Sequence, residues 1–176
     1  MTRESERTPH DDEARGDMAL AARRAESDAL YTAQTNYVQA TFFRRLHYAV
    51  GLPAVLAAGA ATASIITEAS AEVAALFGLT ASLLTAVQVF VNPEKQALEH
   101  NLQGAEYGAF QRRCNRFRTI DLPRLGLVEA RDELERLAAD HAALNRSNRP
   151  SERAFKKAQK KIRRGDPLHP GDEELV

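Results

Sequence analysis

Two apolar runs dominate the hydropathy pattern of this chain. The first, YAVGLPAVLAAGAATASII, covers residues 48–66, and the second, VAALFGLTASLLTAVQVFV, covers 73–91. Between residues 48 and 91 the only ionisable side chains are Tyr48, Glu68 and Glu72. At about 1.5 Å of rise per residue, each run makes a helix of roughly 28 Å, against a hydrocarbon core of about 30 Å. The connecting TEASAE, residues 67–72, is long enough only to reverse the chain. The pattern therefore predicts two antiparallel transmembrane helices. The alternative is an alanine-rich hairpin inside a soluble protein, but two helices apolar all round need other apolar helices to cover them, and the rest of the chain offers none.

The flanks read as amphipathic helix. Leu20, Ala21, Arg24, Asp28, Tyr31, Thr35 and Val38 fall at helical spacing, which predicts a helix over 13–47 that runs into the first span, with Pro53 as a tolerated kink near the membrane entrance. Asn92-Pro93-Glu94-Lys95 marks the exit, since proline suits the first turn of a new helix. Helix is expected to continue to about Arg118, carrying Leu98, Leu102, Ala105, Tyr107 and Phe110, and to break at 120–123. A coiled-coil-like helix is predicted over 128–144, with Leu134, Leu137, Ala138 and Leu144 on one face, and a short last helix between Pro150-Ser151 and Gly165.

The fold class expected is all-α: a membrane protein with a two-transmembrane-helix hairpin and long cytoplasmic helical extensions. The expected organisation is a disordered 1–12, a single domain over 13–165 and a disordered 166–176. Within the domain, 13–47 is a cytoplasmic helix, 48–66 and 73–91 are the spans, 67–72 is the outside link, and 92–165 are cytoplasmic helices.

Composition alone points elsewhere. The chain has 176 residues, 27% of them charged, no formal net charge and a mean hydropathy of −0.42, the averages of a soluble helical domain. Those averages mislead because nearly all charge lies outside the apolar centre. Its distribution gives an orientation: the link has no Lys or Arg, whereas Arg44 and Arg45 precede the first span and Lys95, Arg112 and Arg113 follow the second. The positive-inside rule then puts both termini in the cytoplasm of a multi-pass membrane protein. The polar, mixed-charge N-terminus has no apolar core of a cleavable signal, so the first span is expected to direct insertion.

The second span has two faces at 100° per residue. Leu76, Leu79, Leu83, Leu84, Val87, Phe90 and Val91 suit lipid, and Gly78, Ala81, Ser82, Thr85, Gln88 and Asn92 lie opposite. Ala74, Gly78, Ser82 and Ala86 form a ladder of small residues of the kind that lets helices approach closely, echoed by Gly59 and Ala63. Gly78, Ser82, Thr85, Gln88 and Asn92 are thus candidate helix-packing residues, or, in a sharper reading, the wall of a pore built from several hairpins. The last helix carries Arg153, Lys156, Lys157, Lys160, Lys161, Arg163 and Arg164 against Glu152. Lys156, Lys157, Lys160, Lys161, Arg163 and Arg164 are candidate contacts for anionic lipid, a nucleotide is a second ligand reading, and a solvated helix is the plain one. Without stacking aromatics beyond Phe155, nucleic acid is not expected.

No chemistry-bearing constellation emerges. Cys114 is the single cysteine, which rules out an internal disulfide and a cysteine-cluster metal site. His47, His100, His141 and His169 have no ligand spacing, and no phosphate loop or nucleophile elbow is present. Neither catalysis, a cofactor nor a metal is expected.

YTAQTNYVQATFFRRLHYAVGLPAVLAA, followed by FVNPEKQALEHNLQGAEYGAFQRRCNRF, resembles the SLATT family of bacterial two-span membrane proteins, and TIDL, ELERLAADHAALN and SERAFKKAQKKIRRG extend the likeness over about residues 31–165. Pro93, Glu94, Lys95, Glu99, His100 and Tyr107, with Asn92, resemble its juxtamembrane signature. The resemblance implies an effector of nucleotide-signalled conflict or antiphage defence that oligomerises and opens a pore or otherwise breaches the membrane. Its implied partners are the bilayer, further copies of itself, and an enzyme or sensor for the nucleotide signal. A non-conducting anchor that recruits a cytoplasmic partner through its C-terminal helices is the alternative.

Overall fold

Length and apolarity are spent on helix throughout. The computed structural model describes residues 9–67, 70–147 and 152–164, and among these there is no strand. The elements are α1 (Pro9–Ile66), α2 (Ala71–Val91), α3 (Pro93–Arg116), a π-helical turn (Phe117–Asp121), α4 (Leu127–Ser147) and α5 (Glu152–Arg163). The chain divides into a hairpin unit, Tyr37–Asn101, and an arm unit made of the described residues on either side of it.

Several expected boundaries move. Helix begins at Pro9 rather than after residue 12, because proline fits a first helical turn and Asp11 and Asp12 there favour the positive end of the helix dipole. The second apolar helix begins at Ala71, two residues before the expected Val73, with Glu72 in its first turn. Residues 1–8 and 165–176, together with Glu68 and the Pro150-Ser151 signal, lie outside the described residues.

The unbroken run of α1 is stabilised from its sides rather than its ends. One covered stripe recurs at spacings of three and four, with Leu30, Thr35 and Gln39 buried beside it: Met18, Ala22, Glu26, Ala29, Ala33 and Asn36 in the arm unit, then Ala40, Phe43, His47, Val50, Ala54, Ala57, Ala61 and Ser64 in the hairpin unit. A mean spacing of about 3.5 residues is that of helices packed along a left-handed supercoil. Alanine at half of these positions keeps neighbouring backbones close. The helix stops at Thr67, whose backbone N–H and hydroxyl both donate to the Ala63 carbonyl at 3.0 Å.

Asn92 ends one helix and starts the next. It adopts the left-handed conformation (φ 43°, ψ 59°), and its N–H donates to the Gln88 carbonyl at 2.9 Å. Its side-chain oxygen accepts from the Lys95 N–H at 3.3 Å, and Pro93 takes the first position of α3, where a missing donor costs nothing. Asparagine is among the few residues other than glycine that enter this backbone region at modest cost and also cap a helix N-terminus. Asn92, a candidate helix-packing or pore-lining residue by its place on the wheel, caps this junction and is exposed.

The arm unit has a packed core: Met18, Leu30, Tyr107, Phe110, Cys114, Phe117, Leu122, Leu137 and Ile162 are all buried. At the end of α3 the helix widens to a π turn, closed by Leu122 N–H donating to the Phe117 carbonyl at 2.8 Å, so regular helix ends at Arg116 rather than Arg118. The Arg15 guanidinium of α1 donates to the carbonyls of Leu122 and, at 2.8 Å, Leu125, which satisfies backbone oxygens that the end of α3 leaves open. α4 is then entered through half of a capping box, the Gly126 N–H donating to the Glu129 carboxylate at 3.2 Å. Leu137 is buried and Leu134 and Leu144 are half-buried, as their spacing predicted, but Ala138 faces solvent.

Candidate functional site

The hairpin unit pairs an alanine edge of α1 with a narrow edge of α2. Ala54, Ala57 and Ser64 are buried on α1, and Ala74, Gly78, Ala81, Leu84, Ala86, Gln88 and Val91 are half-buried on α2. The closest polar tie is Gln88, whose side-chain nitrogen donates to the His47 carbonyl at 3.2 Å. It lies against Gly51, where an added Cβ would sit 2.5 Å from that nitrogen. Glycine at 51 therefore makes the space that the Gln88 amide fills.

This geometry divides the predicted polar face of α2. Gln88 serves hairpin packing, Gly78 is half-buried with open space where a Cβ would sit, and Ser82 and Thr85 are exposed. The Ser82 hydroxyl is satisfied within its own helix, donating to the Gly78 carbonyl at 2.9 Å. Leu84 and Val91, assigned by spacing to the free apolar face, are instead half-buried in the hairpin. The cause is supercoiling: the contact line on α2 follows a spacing nearer 3.5 than 3.6 and drifts across the ideal wheel over five turns.

What remains outside is strongly apolar. No residue of α2 is buried, and Leu76, Leu79, Leu83, Val89 and Phe90 are at least 60% exposed. On α1 Leu52, Val55, Leu56, Ile65 and Ile66 are likewise uncovered. Both helices are long and apolar enough to cross a membrane by length and composition, and only 17% and 6% of their most apolar stretches are buried within the protein. The core helix of a soluble protein would be mostly buried.

The juxtamembrane residues separate by role. Pro93 is buried, the His100 ring stacks on Phe43 at 5.7 Å, and Lys95 pairs with Glu99 at 3.7 Å in the open. Glu94 lines a cleft of about 290 Å³ with Arg44, His47 and Tyr48. Tyr107 belongs to the arm unit, where it is buried and donates to the Asn145 side chain at 2.7 Å. It is therefore a core residue whose hydroxyl fixes a neighbouring amide.

Within the arm unit, three features were not foreseen from the sequence. Glu26 is fully buried, accepting from Asn115 at 2.8 Å and from the Arg118 Nε at 3.4 Å. Cys114 is also buried beside them. Burial, then the nearby Glu26 charge, raise its pKa from 9.0 to about 11 against the smaller opposite pull of Arg113. A cleft of about 380 Å³ opens between α1, α4 and α5, lined by Asp28, Tyr31, His141, Asn145, Phe155 and others, with the Tyr31 and Phe155 rings 6.4 Å apart. Asp28 and Tyr31 of that cleft gave a sequence signal through their helical spacing, and Phe155 only as the aromatic of the last helix.

The basic helix α5 buries Ala154, Ala158 and Ile162 and leaves Arg153, Lys156, Lys157, Lys160, Arg163 and Arg164 exposed. The side chain of Lys161 lies outside the described residues. Among the described residues no group of three His, Cys, Asp or Glu side chains is placed to hold a metal ion. No protein family, curated protein or solved structure matches this chain.

Proposed function

We propose that this chain is an integral membrane effector: α1 and α2 cross the bacterial inner membrane as a hairpin, both termini lie in the cytoplasm, and the hairpin self-associates to breach the bilayer when a partner enzyme makes a nucleotide signal. The observation that carries the membrane part is the uncovered apolar surface of α2. A wholly exposed leucine or phenylalanine forgoes about 1.5–3 kcal/mol relative to burial, and lipid supplies that burial for every such side chain at once. The lack of basic residues in the link and their presence on both flanks support the orientation. The effector role is supported by the SLATT-like juxtamembrane sequence and by Ser82 and Thr85, which hairpin packing leaves uncovered.

Co-expression in bacteria with a nucleotide-signalling partner and a potential-sensitive dye tests the effector role. The expected result is loss of membrane potential, diminished by Ser82→Leu with Thr85→Leu; sustained potential in the induced wild type refutes it. A second reading, a non-conducting anchor that recruits a cytoplasmic partner, is favoured by one feature. Gln88 is taken up by the hairpin and the Ser82 hydroxyl by its own helix, so neither demands a water-filled lumen. On that reading, deleting residues 128–144 abolishes partner capture and no conductance appears in planar bilayers.

A further inference from the structure

α5 has the sequence of a membrane-surface helix, and its packing changes what such a helix can do. Interfacial amphipathic helices bind by sinking an apolar face below the headgroups, with cations above it. Here that face is already used: Ala154, Ala158 and Ile162, one turn apart, are 0–7% exposed within the arm unit. Phe155, the one large aromatic side chain of the helix, lies against Tyr31 at 6.4 Å between ring centres. Phe155 still shows 42% of its surface, so one half-covered ring, rather than an apolar face, is what α5 has left to insert.

The charged side is the reverse. Lys156 pairs with Glu152 at 2.7 Å, but Arg153, Lys157, Lys160, Arg163 and Arg164 have no carboxylate within ion-pair distance among the described residues. Elsewhere in the arm unit some cations find acids, as Arg113 does Asp140, Arg116 does Asp121 and Arg136 does Glu133. A dense set of unpaired cations on a helix with no free apolar face fits a diffuse anionic surface.

Resting on the membrane reading above, we infer that the exposed face of α5 docks on anionic phospholipid headgroups, held by charge alone and without insertion. Single-stranded nucleic acid is the poorer match because it is held by base stacking, and Phe155, the one aromatic ring of the helix, is partly covered by Tyr31. A membrane-embedded hairpin in the same chain keeps α5 at high effective concentration near a bilayer. The surface potential of an anionic leaflet then gives each basic residue close to it an attraction equivalent to about fivefold in docking.

Hydrogen exchange of the full chain in lipid nanodiscs tests this. Amides of α5 should exchange at least about tenfold more slowly in discs containing phosphatidylglycerol than in pure phosphatidylcholine discs, two cations sufficing for that factor. High salt should erase the difference, and so should Arg153→Gln with Lys157→Gln and Lys160→Gln, while α2 stays protected in every disc. Equal exchange of α5 in both discs overturns the inference with the hairpin reading intact. Slowing in neutral discs on adding inorganic phosphate overturns it in favour of a soluble anion, and salt-resistant slowing overturns the charge-only mode. An α2 that exchanges freely in both discs removes the membrane reading and this inference with it.

Discussion

Removing Arg118 should open the arm unit far more than its place at the edge of a π turn suggests. Glu26 is wholly buried, and its two partners are Asn115 and the Arg118 Nε at 3.4 Å. Arg118→Ala leaves a buried carboxylate with one neutral hydrogen bond. Breaking a buried pair from one side costs about 3–5 kcal/mol. The lower end applies because the Arg118 side chain is 25% exposed and meets Glu26 through a single nitrogen, so part of the lost attraction was already screened by water. About 3 kcal/mol corresponds to roughly 150-fold in the local opening equilibrium. In a Glu26→Gln background the same Arg118→Ala change should cost about 1 kcal/mol, since no buried charge is stranded, giving a coupling of about 2 kcal/mol. Hydrogen exchange of peptides covering 15–30 and 110–125, measured for the four members of the cycle in detergent, reads these ratios directly. Because the pair is buried, the coupling should change little with salt. Equal cost of Arg118→Ala in both backgrounds would refute the claim that the two side chains act as a pair.

Other expectations follow from single features. Cys114 should resist maleimide in the native fold and react once the arm unit opens; its raised pKa also predicts stability that is full below pH 9 and declines as pH rises through about 11, because the unfolded thiol ionises first. Replacement by alanine should flatten that alkaline decline in a denaturation series. Gly51→Ala should displace the Gln88 amide from the His47 carbonyl and weaken the hairpin by about 1 kcal/mol, with most of the loss absent in a Gln88→Ala background, measured by titration with a denaturing detergent. Asn92→Val should cost about 2 kcal/mol or more in the same assay, combining a lost cap with a β-branched residue at positive φ, whereas Asn92→Gly should cost only the few tenths of the cap.

The all-helical architecture and the hairpin were legible because their signals are long and local. Two apolar runs of membrane length joined by a short link leave few alternatives, and Asn92-Pro93 announces a helix junction by residue type. What each junction does was less legible. Asn92 looked like part of a polar face because a helical wheel treats every residue as helical, and this one has left-handed backbone. The faces of α2 blurred for a related reason, since the wheel assumes a straight helix and the packing line on a supercoiled one moves. Glu26 left no trace at all: one acid in a polar helix resembles a solvated charge, and its partners lie 89 and 92 positions away. Pairings at that separation are decided by the tertiary fold, as is the use of the apolar stripe of α5 as core.

Bilayer crossing is tested most directly by placing a cysteine in the link. Ser70→Cys should react with a membrane-impermeant maleimide in intact inner-membrane-bounded spheroplasts, Arg112→Cys only after permeabilisation, and the buried native Cys114 should stay silent in both. A bilayer-crossing hairpin gives that pattern in a chain recovered in the membrane fraction after alkaline carbonate washing. Recovery in the soluble fraction without detergent, or labelling of Ser70→Cys only after permeabilisation, would contradict it.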